Sequence, residues 1–77
     1  MRETTMMKFV VTAESEVMDV CSETNDVEVA CEVFEQLCAD NAYYSVHLYD
    51  GETGEVYAYK TIVRSPDGVT ITQWVAI

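Results

Sequence analysis

NDVEVACEVFEQLCADN, residues 25–41, is the segment whose period decides the fold. Val27, Ala30, Cys31, Phe34, Leu37 and Cys38 recur at i, i+3, i+4 and i+7, which is one apolar stripe on a helix. Glu28, Glu32, Glu35 and Gln36 fall outside that stripe, and Val29 and Val33 flank it. Asn25 is a suitable N-cap, and Glu28 three residues later makes an Asn-x-x-Glu variant of the capping box. Asp26 and Glu28 stand in the first turn, where the helix dipole favours negative charge. Asn41 suits a left-handed residue just past the helix end. No base supports the last turn.

On both sides of this helix the period is two. Before it, Lys8–Glu14 (KFVVTAE) alternates Phe9, Val11 and Ala13 against Lys8, Val10, Thr12 and Glu14, a strand with its odd positions toward the core. Glu16–Ser22 either extends that strand or bends back beside it. After the helix, Tyr44, Val46 and Leu48 alternate with Tyr43, Ser45, His47 and Tyr49. Asp50-Gly51-Glu52-Thr53-Gly54 is a turn, so a hairpin follows. The next strand runs from about Glu55 to Val63 and meets a second turn at Ser65-Pro66-Asp67-Gly68, with proline second and glycine fourth. A last strand, Val69–Ile77, puts Val69, Ile71, Val75 and Ile77 on one face and Thr70, Thr72, Trp74 and Ala76 on the other.

The expected architecture is α+β in the order β-α-β-β-β, with one helix packed on one face of a mainly antiparallel sheet. It forms one domain over residues 7–77, behind a flexible leader at 1–6. One helix cannot cover two sheet faces. If Val46 and Leu48 point to the helix, Tyr43, His47 and Tyr49 point away, joined by Trp74, Thr70 and Thr72. In the strand between them, Val56, Ala58, Lys60 and Ile62 suit the space beneath the helix, which sends Tyr57 and Tyr59 outward. A face of Tyr43, His47, Tyr49, Tyr57, Tyr59 and Trp74 has the composition of a contact surface, because aromatic rings with a polar tip concentrate at interfaces. Cross-strand pairs that merely stabilise a small sheet have the same composition.

Seventy-seven residues with fourteen acids, four bases and one histidine carry a formal charge of −10. That length suits one small domain, and 49% hydrophobic residues suit a packed core. Four bases argue against direct binding to nucleic acid or to anionic membranes. The charge is one-sided. No Lys or Arg lies between Phe9 and Tyr59, and nine acids fall from Glu14 to Asp40. Glu23, Asp26, Glu28, Glu32 and Glu35 place carboxylates along the helix and its approach at intervals of about 6 Å, as a decoy for phosphate would. The same charge also serves plain solubility.

Three cysteines do not close a disulfide framework, and Cys31 and Cys38 stand two helical turns apart, about 10 Å. The expected state is reduced thiols in the cytoplasm. With one histidine and no CxxC pair, neither a structural metal site nor any cofactor is expected. His47, Ser45 and Tyr49 share a face, but no nucleophile motif or glycine-rich phosphate loop accompanies them, and the chain reads as non-enzymatic.

The helix ETNDVEVACEVFEQLCADN followed by the hairpin YSVHLYDGETGEVYAY, in a short acidic domain, resembles small bacteriophage proteins of the host-takeover and anti-defence type. These include small anti-CRISPR proteins and small inhibitors of bacterial RNA polymerase. The resemblance is one of profile and topology, and implies a helix on a three- or four-stranded sheet that occupies a basic surface. It brings no site residue with it. Two expectations result. One is an inhibitor that docks its acidic helix side on a basic, nucleic-acid-binding host protein. The other is an assembly module that self-associates as a homodimer through its aromatic sheet face.

Overall fold

The computed structural model describes residues 8–76; the expected leader at 1–6, and Met7 and Ile77 at the ends of the expected domain, lie outside them. The described residues form an α+β unit with strands β1 (Phe9–Glu14), β2 (Asp19–Thr24), β3 (Ser45–Asp50), β4 (Val56–Ser65) and β5 (Gly68–Val75), and helix α1 (Val27–Ala39) between β2 and β3. The sheet is antiparallel throughout, in the order β2-β1-β3-β4-β5.

One strand more is present than β-α-β-β-β allows, because the chain bends back after β1 rather than extending it. Ser15 makes the bend: its Oγ accepts from the Met18 N–H at 3.1 Å and donates to the Met18 carbonyl at 2.8 Å. The returning β2 is an edge strand whose acids face water, which hid its period.

Helix α1 packs on β1, β2 and β3. Ala30, Phe34 and Cys38 are its buried residues and meet Phe9, Val11, Ala13, Val46 and Leu48. From β4 Ala58 joins that core and Tyr57 packs against it, while β5 contributes nothing. The helix begins one residue later than the capping-box reading placed it. Asp26, not Asn25, is the N-cap, and its Oδ1 accepts from the Glu28 N–H at 2.9 Å. Thr24 Oγ1 accepts from the Asp26 N–H at 3.1 Å, and this contact sets the cap. At the other end Asn41 is not left-handed, since no non-glycine residue among those described has positive φ.

The missing base of the last turn arrives from far along the chain. Lys60 on β4 is 5% exposed, and its ammonium donates to the Cys38 carbonyl and, at 2.8 Å, to Asn41 Oδ1. A cation thus meets the negative end of the helix dipole.

Candidate functional site

The sheet face turned away from α1 is built in rows, because residues directly opposite in an antiparallel ladder share a face. One row crosses all five strands as Cys21, Thr12, His47, Tyr59 and Trp74. A second reads Glu23, Val10, Tyr49 and Val56, and a third Asp19, Glu14, Ser45, Thr61 and Thr72. This outer face therefore has two halves. Over β2 and β1 it carries the carboxylates of Asp19, Glu23 and Glu14; over β3, β4 and β5 it carries rings.

His47, Tyr59 and Trp74 form a ladder. The His47 and Tyr59 ring centroids are 6.0 Å apart at an interplanar angle of 27°, and those of Tyr59 and Trp74 are 5.8 Å apart at 29°. Ser45 Oγ lies 3.2 Å from His47 Nδ1, which orients the imidazole for the stack. With Val56 and Thr61 the three rings line an open groove of about 470 Å³. Ring pairs at such separations contribute about 0.5–1.5 kcal/mol each beyond their buried area.

Four of the six expected aromatic residues, His47, Tyr49, Tyr59 and Trp74, share this face. Two do not. Tyr43 and Tyr57 pack against the core instead. For Tyr57 the reason is a β-bulge: Leu48 opposes Ala58 but Tyr49 opposes Val56, so Tyr57 is the extra residue. The bulge turns Val56 outward into the groove and Tyr57 toward the helix side, where its ring centroid is 6.0 Å from that of Phe9. The hairpin turn holds the bulge in place. Asp50 Oδ1 accepts from the Glu52 and Thr53 N–H groups at 2.7 and 3.1 Å, and Oδ2 accepts from the Tyr57 hydroxyl at 3.0 Å. These backbone donors, chiefly that of Glu52, hold the Asp50 carboxyl below its ordinary value. Desolvation and the same carboxylate push the Tyr57 hydroxyl up. Gly54 closes the turn at φ +81°, a conformation that favours glycine. Gly51 lies against the outer face, where an added Cβ would come within 3.1 Å of Val10 Cγ2. Val10 is only 4% exposed although it is on the solvent side of the sheet.

The expected acidic surface is divided. Glu28, Glu32 and Glu35 are exposed along α1 and follow one another at i, i+4 and i+7, as the helical reading required. Asp26 is taken up as the N-cap. Glu23 belongs to the outer sheet face and stands 3.9 Å from Lys8 Nζ. Glu14 and Asp19 come beside the rings only through the pairing of β1 with β2 and β3, which no local pattern in the sequence marks.

Among the described residues no His, Cys, Asp and Glu side chains cluster as a metal site, and no helix is long and apolar enough to cross a membrane. The three cysteines are free, Cys38 buried and Cys21 exposed. Burial pushes the Cys38 thiol up, against the opposing pull of Lys60. No protein-family model matches the chain, and no curated protein or solved structure matches it either.

Proposed function

We propose that this is a non-enzymatic binding protein that docks on a basic protein surface, and that its contact face is the outer face of the sheet. The observation that carries the reading is the His47–Tyr59–Trp74 ladder lining an open groove beside the carboxylates of β1 and β2. Arginine suits both halves: its guanidinium stacks on aromatic faces and pairs with carboxylates. From β4 to β2 is three strand spacings, about 14 Å, so neighbouring basic side chains of one partner can reach both halves. The inhibitor role implied by the phage resemblance fits this placement, with a nucleic-acid-binding host protein as the partner whose basic surface is masked. The row Glu28, Glu32 and Glu35 then adds long-range attraction to the encounter.

Trp74 is the single tryptophan, so its fluorescence reports on the face directly. Titration with an arginine-rich peptide should give a saturable change that weakens with salt. A lysine-rich peptide of equal charge should bind less well, because an ammonium stacks poorly. Tyr59→Ala should weaken the response, whereas glutamine at Glu28, Glu32 and Glu35 should preserve most of it. The reverse pattern moves the contact to the helix, and no response to either peptide removes the reading.

A further inference from the structure

We propose that the free edge of β5 pairs with the β5 edge of a second copy of this chain, joining two five-stranded sheets into one. Edge strands of monomers are normally blunted by charge, proline, bulges or shortness. At the opposite edge β2 follows that rule, being six residues long with Asp19 and Glu23 exposed on it. Strand β5 does not. Its eight residues, GVTITQWV, contain no charge and no proline, and its register with β4 runs unbroken from Ala58–Val75 to Ser65–Gly68.

The edge is also self-complementary. The Ala76 N–H donates to the Tyr57 carbonyl. Alternation along the ladder then points the backbone of Trp74, Thr72 and Thr70 toward β4, and leaves the N–H and C=O groups of Val69, Ile71, Gln73 and Val75 directed out of the sheet. An antiparallel pairing centred on Thr72 sets Val69 opposite Val75 of the second copy and Ile71 opposite Gln73. All four outward residues then meet outward residues. On the helix side this covers Val69, Ile71 and Val75, which α1 leaves 52–59% exposed. On the outer face Thr72 meets its own copy, a favourable cross-strand pair.

The −10 of the chain is not carried by this edge itself, although Glu35 of α1 shares a cleft with Gln73 and Val75. The strand order puts the acids of β2 four spacings, about 19 Å, from β5, beyond two Debye lengths at physiological salt. The paired strip is about 27 Å long. Pairing along a single edge buries less than the ~1,200 Å² of a stable interface, so the dimer is weak and concentration-dependent.

Sedimentation of the full chain across a wide concentration range should show reversible dimerisation. Amide exchange at Val69, Ile71, Gln73 and Val75 should slow as concentration rises. Gln73→Pro removes only an outward donor and leaves the β4 ladder intact. In the symmetric dimer it deletes two hydrogen bonds and should weaken association by about thirtyfold. Ile71→Lys, which needs no unusual backbone, should do the same through edge charge. A monomer at every concentration overturns the proposal and leaves the edge to a foreign strand. A dimer whose edge amides stay unprotected, or which both variants leave intact, overturns it in favour of the aromatic face. A monomer leaves the outer-face reading above untouched, whereas a dimer through the aromatic face overturns both.

Discussion

Replacing Lys60 with methionine tests whether a strand residue caps the helix. The substitution keeps an unbranched side chain of similar length, so packing changes little, but it removes the donor to the Cys38 carbonyl and to Asn41 Oδ1. Two opposing effects follow. A carbonyl and an amide oxygen lose their partner in a site where the lysine is 5% exposed, at a cost of about 1–3 kcal/mol. The attraction between the ammonium and the C-terminal end of the dipole is lost as well, roughly 0.3–2 kcal/mol. In return the burial of a charge is relieved, which offsets roughly a third of that sum in the way buried ion pairs are offset. The net expectation is destabilisation by about 2 kcal/mol, a large share of the roughly 4–12 kcal/mol that a domain of this size possesses. Helical circular dichroism on heating should show Tm lower by about 10 °C. Lys60→Met combined with Asn41→Ala should be less damaging than the sum of the two single changes, since they share one contact. A methionine variant as stable as the wild type would refute the capping argument, because it would mean that burying the ammonium costs as much as its contacts return.

Tyr57→Phe keeps the ring against Phe9 but removes the hydroxyl that Asp50 accepts from, and should lower the urea unfolding midpoint modestly. Because the Asp50 carboxyl is held below its ordinary 3.8, its contribution is complete above that value and is lost as pH falls through the lower folded value. The Tyr57 hydroxyl runs the other way: its contribution is present below its ordinary 10.0 and is lost as pH rises through the higher folded value. Unfolding curves measured across pH should therefore lose stability at both extremes in the wild type, and Tyr57→Phe should flatten the alkaline limb. Thiol labelling under native conditions should modify Cys21 first and Cys38 last, since Cys38 is buried with its thiol pushed up; equal rates would contradict its placement in the core.

The helix and the central strands were legible because their burial is periodic. Ala30, Phe34 and Cys38 sit a helical turn apart and are the buried positions, while Val46 and Leu48 alternate with half-exposed His47 and Tyr49. Three features were not legible, each for a physical reason. Strand β2 has an acidic, water-facing side and follows a turn made by Ser15 rather than by glycine or proline. The Tyr57 bulge arises from a side-chain contact with Asp50 seven positions earlier, and strict alternation through it sends Val56 and Tyr57 to the wrong faces. The helix C-terminus takes its cation from a residue 22 positions beyond Cys38, where no local pattern points to it. For the candidate site, the ring-bearing strands were visible but the acids beside them were not, because that adjacency depends on strand order.

The uneven cover of the sheet divides the molecule in time as well as in space. Strand β5 is joined to β4 through a two-residue turn at Pro66-Asp67 and gives no side chain to the core. Its contacts are local in sequence, so the β4–β5 hairpin can close within microseconds without waiting for α1 to dock. The same independence lets β5 detach while the helix and the three strands under it stay folded, as a cooperative unit of low stability. Trp74 lies on that unit. Its emission therefore follows the opening of the arm, and a denaturation curve read by fluorescence should fall before one read from the helix.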